Sequence, residues 1–269
     1  MEVTSSVTLN GDLFVYNYSI LNPASNVGAL WSFGLDISVS NGSLSLSPIG
    51  LSNGQGYLAN SGLVVLTQSA SKASVPVGVQ APTEWVFSPS VSGTIEWGAA
   101  IDGALVAPGQ TVQGFQITSP GLPAIRRFTA RPYVDVESLG LKQPTDPTDL
   151  DRYYNDLAKV QDETYATGYT IGPTAPPANF VALDFLAAIQ KYKEQSVALG
   201  WIINKGIPNS LDVKLNAAYS ALSAGNTQPA KSELGAFINE LNAQNGKYLT
   251  ADAYNLLRFN VEYLIGKLK

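Results

Sequence analysis

A glycosidase-type site would need carboxylates, and the first hundred positions supply Asp36, Glu84 and Glu96. Such catalysis requires two carboxylates at a defined separation in a cleft. A Ser-x-x-Lys spacing also occurs at Ser69 and Lys72, but the companion motifs of serine–lysine enzymes are absent. Acidic side chains on strands usually face solvent, and this spacing arises easily in a serine-rich chain. We therefore expect a protein that is not an enzyme, with a carboxylate-dependent hydrolase as an alternative.

Histidine and cysteine are both absent from the 269 residues. Their absence excludes Ser-His-Asp and Cys-His triads, disulfides, and metal sites built on imidazole or thiolate. Any bound metal would be a hard cation on oxygen ligands, with calcium first. Asp146, Asp149 and Asp151 are the candidate ligands, although acids at the start of a helix are better explained by its dipole. We expect no cofactor other than calcium.

Four aromatic residues could form a platform for a sugar ring: Trp31, Trp85, Trp97 and Tyr57. Such stacking is effective because one face of a pyranose is apolar. Tryptophan in a β-sandwich more often fills the core, where its large area contributes most to stability. Trp31 alternates in phase with the apolar residues that follow it, so we expect it in the core. Tyr57 follows Gly-Gln-Gly, which is typical of a loop. Tyr57, Trp85 and Trp97 are the ligand-binding candidates.

Charge is unevenly distributed along the chain. Residues 1–125 contain one basic and six acidic residues, a net charge of −5, whereas residues 126–269 contain fifteen of each sign. Neither part has the basic field that nucleic acid requires. The sequence contains no run of eighteen apolar residues, so it predicts no membrane-spanning segment. We expect partners among proteins or extracellular polymers, carbohydrate included, and the pattern is compatible with self-association.

Residues 1–137 predict an antiparallel β-sandwich, Ig-like or jelly-roll-like. In Leu13–Ile20 large apolar residues alternate with positions that turn polar, as in a half-buried strand. Asn-Gly, Asp-Gly and Pro-Gly pairs separate this strand from others of similar length. The further predicted strands are Trp31–Ile37, Leu63–Thr67, Glu84–Ser88, Gly93–Ile101, Thr111–Ile117 and Ile125–Val136.

Residues 138–178 are predicted to connect two domains. A helix at about 150–165 would begin after Thr148 or Asp149 as its N-cap. The Gly/Pro-rich segment Gly168–Ala178 that follows predicts a stiff, extended linker, because proline donates no ladder hydrogen bond.

Residues 179–269 change to a helical period, with apolar residues three and four positions apart. Gly225 and Gly246 stand where a left-handed residue ends a helix, and Thr250 is a further N-cap. The short loops predict antiparallel neighbours, so this module is a bundle of three or four helices.

The helical part also resembles a known family. The resemblance extends over about residues 198–268 and is to the FIMAH module found at the C-terminal end of many bacterial secreted proteins. It is carried by Leu199-Gly200-Trp201-Ile202, Ser210-Leu211, Gly225-Asn226-Thr227, Ala236-Phe237-Ile238-Asn239 and Leu249-Thr250. The resemblance implies an accessory, non-catalytic module of exported multidomain proteins, without active-site residues. The N-terminal part is similar to β-sandwich regions of bacterial surface proteins, through Tyr16-Asn17-Tyr18 and Trp31-Ser32-Phe33.

These observations predict a non-catalytic secreted or cell-surface protein. The sandwich would serve as an adhesion, binding or structural module, and the bundle as a docking or spacer module. The alternative is a carbohydrate-binding module of an extracellular polysaccharide-degrading system. The first four residues lack the basic start and apolar core of a signal peptide. We interpret them as the start of a mature region behind an added methionine, with a cytosolic protein as the alternative.

Overall fold

The computed structural model of the chain describes residues 1–37, 64–65, 77–89, 94–135 and 140–269. Within these ranges strands dominate the N-terminal part and helices the C-terminal part, so the predicted class of all-β plus all-α is confirmed. The strands are β1 Glu2–Asn10, β2 Leu13–Leu21, β3 Leu30–Asp36, β4 Val64–Val65, β5 Gly78–Gln80, β6 Trp85–Pro89, β7 Thr94–Ala99, β8 Thr111–Ser119, β9 Leu122–Pro132 and β10 Ala166–Thr174. The helices are α1 Leu150–Thr164, α2 Ala182–Ala198, α3 Gly206–Ser223, α4 Thr227–Gln244 and α5 Ala251–Lys267.

The described strands form two five-stranded antiparallel sheets. Sheet A has the order β1-β2-β8-β5-β4, and sheet B has the order β10-β9-β3-β7-β6. Aromatic side chains alternate inward and fill the space between the sheets, with Phe115 in contact with three other rings at 5.0 to 5.6 Å. The large aromatic residues of this core, each at most 2% exposed, are Tyr16, Tyr18, Phe33, Trp85, Phe87, Trp97 and Phe115.

The segment predicted as a stiff linker is largely a strand of sheet B. β10 pairs with β9 along its whole length, from Ala166 opposite Ala130 to Thr174 opposite Leu122. The prediction was wrong because it treated glycine and proline only as breakers. Gly168 faces the ring of Phe128, where a Cβ atom would approach the ring to 2.5 Å. An edge strand also tolerates proline, since one side of its backbone needs no ladder partner.

A β-bulge in β3 reverses the expected position of Trp31. The register against β9 shifts between Leu30 and Ser32, so Trp31 is the extra residue. Leu30 is fully buried instead, and its backbone exchanges two hydrogen bonds with Val106 at 2.8 and 3.1 Å. The prediction of Trp31 in the core was therefore wrong, because strict alternation fails across a bulge.

The bulge leads to a stability prediction for Trp31. We expect Trp31→Ser to lower the free energy of unfolding by about 1–3 kcal/mol, because the side chain is partly buried but lies outside the core. Leu30→Ala should cost about 2–5 kcal/mol as a core truncation. Urea unfolding followed by circular dichroism measures both. A larger loss for Trp31→Ser than for Leu30→Ala would place the indole in the core and contradict the bulge.

Four helices form the C-terminal bundle, in which α2 contacts α3 and α5, and α4 contacts α3 and α5. Two ion pairs join consecutive helices: Lys193 to Asp212 at 2.5 Å between α2 and α3, and Lys214 to Glu240 at 2.6 Å between α3 and α4. Ser210 donates a second hydrogen bond to Glu240 at 2.8 Å. These contacts fix the bundle's internal packing.

Three predicted helix ends agree with the structure, whereas Asp149, one of the two residues predicted to cap α1, makes no side-chain cap hydrogen bond. Gly225 follows α3 with φ +74° and Gly246 follows α4 with φ +72°, as expected for left-handed residues after a helix. The hydroxyl of Thr250 accepts a hydrogen bond from the backbone N–H of Ala253 at 3.3 Å and caps α5.

Candidate functional site

Helix α5 lies between the bundle and the open side of the sandwich. β1 and β10 are edge strands of the two sheets, and α5 contacts both of them as well as β9. Its buried residues accordingly lie on more than one side of the helix. Leu257, Val261 and Leu264 form a seam with three- and four-residue spacing, while the buried Leu256 and Phe259 lie off it. α5 therefore joins the two parts of the molecule and covers edges that would otherwise offer free strand backbone.

Asp252, in the first turn of α5, connects the edge strands of both sheets. Its Oδ1 accepts a hydrogen bond from the hydroxyl of Ser5 in β1 and one from the hydroxyl of Thr170 in β10, the latter at 3.3 Å. The backbone N–H of Ile171 also donates to this carboxylate. Asp252 is only 7% exposed. Desolvation raises the pKa of Asp252 to about 6, although these three donors act in the opposite direction.

Two further contacts fix α5 along the sandwich. The side-chain amide of Asn260 donates to the backbone carbonyl of Pro123 at 2.8 Å. The ring of Phe259 packs edge-on against the ring of Phe14 at 5.2 Å between centroids. A buried hydrogen bond and an aromatic contact thus accompany the carboxylate, and together they hold the bundle in one orientation on the sandwich.

A buried polar group lies beneath this junction. Arg126 is 6% exposed, and its guanidinium donates to the carbonyl of Pro173 from Nε at 3.0 Å and Nη2 at 2.6 Å. Burial lowers the pKa of Arg126 and raises the pKa of Tyr18 and Tyr192, two hydroxyls near it. The hydroxyl of Tyr18 is buried and has no hydrogen-bond partner among the described residues. The junction is therefore polar inside, unlike the aromatic core beside it.

The outer face of sheet A carries almost no charge; among the described residues it is exposed along β1 and partly buried along β2. Pairing across β1, β2 and β8 aligns outward residues in rows, for example Ser6 opposite Asn17 and Asn17 opposite Gln116. The side-chain Nε2 of Gln116 donates a hydrogen bond to the side-chain Oδ1 of Asn17 at 2.9 Å. We call this surface the hydroxyl–amide face. Its polar members are Thr4, Ser6, Thr8, Asn17, Ser19, Gln113, Gln116 and Thr118, and Leu13, Val15 and Leu21 of β2 point to the same side.

A groove crosses the hydroxyl–amide face at a second bulge. The register of β2 against β8 shifts between Tyr18 and Ser19, where Gly114 is the extra residue with φ +104°. The groove has a volume of about 330 Å³. Its outward polar lining residues are Thr4, Ser6, Asn17, Ser19 and Gln113.

Two other clefts lie at the ends of the sandwich. One, of about 540 Å³, is lined by Met1, Val27, Pro132 and Tyr133 among others. The second, of about 350 Å³, lies where Phe14 and Phe259 meet at the junction. Neither cleft is lined by the acids or tryptophans that the sequence singled out.

The three candidate acids are not gathered in a cleft. Glu96 lies opposite Gly34 in sheet B, accepts a hydrogen bond from Ser32 at 3.1 Å and pairs with Arg131 at 3.6 Å. Asp36 lies opposite Thr94 on the same side of the sheet. Glu84 occupies a turn before β6 with φ 63°. Ser69 and Lys72, the alternative catalytic pair, lie outside the described residues.

The tryptophan candidates are core residues. Trp85 and Trp97 are at most 1% exposed, and their indole N–H groups donate to the carbonyls of Ala104 at 3.2 Å and Gln80 at 3.0 Å. Neither indole face is available to a sugar, so the interpretation that they fill the core holds and their role as ligand platform is wrong. Tyr57 lies outside the described residues.

The calcium candidates lie at the start of α1. The carboxylate of Asp146 accepts hydrogen bonds from the backbone N–H of Thr148 at 2.9 Å and from its hydroxyl at 2.8 Å, which lowers the pKa of Asp146. Asp149 and Asp151 are exposed. Among the described residues, no three acidic side chains are grouped as metal ligands would be. Calcium binding here stays a prediction.

The C-terminal helices match a known protein family. Residues 186–266 match the family model of the FIMAH domain. The predicted resemblance over about residues 198–268 is confirmed, and the match begins earlier, within α2. No curated protein matches the chain. The FIMAH domain indicates a non-catalytic, surface-associated bacterial module. In the part of the chain that the structure describes, no helix has the length and hydropathy to cross a bilayer.

The sequence did not identify the FIMAH domain's contact with the sandwich. Asp252, Leu256, Phe259 and Asn260 follow one another at helical spacing and define a second buried side of α5. A stripe of this kind, beside the seam that faces the bundle, is the sequence signal that was available. Because Asp252 and Asn260 are polar, this stripe has the sequence pattern of a solvent-facing side of a helix.

Proposed function

We propose that the protein is a non-catalytic extracellular binding protein in which the FIMAH domain braces the β-sandwich. The observation that carries this proposal is the position of α5, which contacts edge strands of both sheets, while among the described residues the outward polar side chains of β1 stay exposed. The bundle is therefore a docked support for a binding module, in preference to a flexible spacer.

The chemistry of the acidic residues supports a non-catalytic role. Glu96 contacts Ser32 and Arg131 through its Oε1, on the outer face of sheet B rather than in a cleft. Asp252 has a raised pKa, but it is buried at the start of α5, in contact with Ser5 and Thr170, rather than in an open cleft. A general acid must reach the bond that it protonates.

Binding and hydrolysis can be measured on the same sample. Fluorescently labelled protein should bind saturably to intact bacterial cells or to their isolated extracellular polymers, and it should release no reducing sugar or peptide from either. Heat-denatured protein is the control for non-specific adsorption. Product release that disappears in Glu96→Gln would establish a hydrolase instead, and failure to bind any fraction would refute the binding role.

A further inference from the structure

The hydroxyl–amide face has an unusual composition for an open sheet surface. β1, β2 and β8 are described in full, and Glu2 at the start of β1 is the one charged residue in their 27 positions. Solubility is normally maintained by interspersed Lys, Arg, Asp and Glu on such surfaces. Here outward polarity is supplied by hydroxyl and amide groups, each of which both donates and accepts hydrogen bonds.

This composition restricts the class of ligand. An anionic polymer or phosphate would be met by arginine or lysine, and neither occurs in these strands. Protein interfaces concentrate aromatic residues, methionine and arginine at their centre, and none of these points outward on this face. A neutral ligand that itself presents many donors and acceptors is complementary to it.

The arrangement of the face suits an extended ligand. Outward side chains recur about 7 Å apart along each strand, and neighbouring strands are about 5 Å apart, so the polar groups form a regular grid. The groove beside Gly114 interrupts this grid and gives a concave point where hydroxyls can be enclosed. The hydrogen bond between Gln116 and Asn17 holds two of the amides in position before a ligand binds.

Resting on the proposed binding function, we propose that a neutral polysaccharide lies along the hydroxyl–amide face, with its hydroxyl groups hydrogen-bonded to Asn17, Gln113 and Gln116. This contact differs from an aromatic platform, since the tryptophans of this sandwich are committed to the core or to a bulge. Binding relies on many hydrogen bonds of modest strength, so affinity for one short oligosaccharide is low and increases with chain length.

Affinity electrophoresis tests this proposal with four neutral polysaccharides: xylan, mannan, a β-1,3-glucan and hydroxyethylcellulose. At least one should retard the protein, and the retardation should be unchanged by about 0.5 M added salt, because salt screens only charged contacts. Asn17→Ala/Gln116→Ala should weaken the association at least about tenfold, because two outward hydrogen-bonding groups are lost together. The matched control, Ser88→Ala/Thr167→Ala, removes two exposed hydroxyls from sheet B and should bind as wild type.

Each other outcome overturns the proposal. If none of the four polysaccharides retards the protein, neutral polysaccharides are not its ligands. If the control variant loses as much affinity as Asn17→Ala/Gln116→Ala, the binding site is not on the hydroxyl–amide face. Retardation that salt abolishes identifies a charged ligand. The same variants can be tested for cell binding. Suppose that Asn17→Ala/Gln116→Ala no longer binds cells, and that no neutral polysaccharide competes with the wild-type protein for cell binding. The partner is then a protein. In that case the proposed extracellular binding function stands and the polysaccharide proposal fails.

Discussion

Replacing Asp252 by asparagine should remove a pH-dependent loss of stability of about 3 kcal/mol between about pH 4 and pH 7. The carboxyl is 7% exposed and binds its proton at a pKa of about 6 in the folded protein, against an ordinary value of 3.8. Because each pKa unit corresponds to about 1.4 kcal/mol, the difference sets the size of the effect.

The sign follows from proton binding. Below about pH 4 the carboxyl is protonated in both states, and the folded protein has its full stability. Between about pH 4 and pH 6 the unfolded chain loses the proton while the folded protein retains it, so stability falls as pH rises. Above about pH 6 both states are ionised and the loss is complete. The asparagine side chain in the Asp252→Asn variant cannot titrate, so that variant should show no such decline.

The measurement is a series of urea titrations between about pH 4 and pH 7.5 on wild type and Asp252→Asn. The difference between the two free energies of unfolding isolates this residue, since the other titrating groups are common to both. Ser5→Ala is an informative companion, because the Ser5 hydroxyl lowers the pKa of Asp252. Its removal should raise that pKa further and extend the pH window upward. A difference that stays constant with pH would mean that Asp252 is solvated in the folded protein.

Trp97→Ala should lower the free energy of unfolding by about 3–5 kcal/mol. Trp97 is fully buried, stacks on Phe33 at 5.5 Å with 15° between the ring planes, and meets Phe115 at 5.6 Å. Its truncation would create a cavity between the sheets and leave the carbonyl of Gln80 without the indole donor. Urea unfolding followed by circular dichroism measures the loss without relying on tryptophan fluorescence.

Trp97→Phe separates the two contributions in that prediction. Phenylalanine keeps most of the ring contact but removes the donor to Gln80, so its cost should be smaller, about 1–3 kcal/mol. Polysaccharide retardation of Trp97→Phe should equal that of wild type, because the indole does not reach the surface. Selective loss of ligand binding with unchanged stability would contradict the core position.

Much of the fold could be predicted because its signals are local. Alternation in Leu13–Leu21 and helical spacing after residue 179 depend on neighbours a few positions apart, as do the cap at Thr250 and the left-handed Gly225. Strand β10 could not be predicted from local signals, because Gly168 is favourable there only opposite the ring of Phe128.

The candidate binding surface was only partly accessible from the sequence. The scarcity of basic residues in residues 1–125 was evident from the sequence, and it argued against nucleic acid as a partner. Which residues share a face depends on register, and the bulges at Trp31 and Gly114 each change the side to which a residue points. The ligand-binding candidates taken from the sequence were aromatic, although a core role for the tryptophans was favoured; the structure buries Trp85 and Trp97 and turns hydroxyls and amides outward.

The change from strands to helices, the left-handed glycines after two helices and the FIMAH domain can be recognised in the sequence, because they depend on composition and short-range periodicity. How the two parts are joined follows only from the folded structure. Asp252 meets Ser5 across 247 positions of sequence and Thr170 across 82. Burial of a carboxylate depends on which distant groups surround it, and no local pattern records them. The same docking places α5 against β1 and β10, while the outward polar side chains of β1 stay exposed.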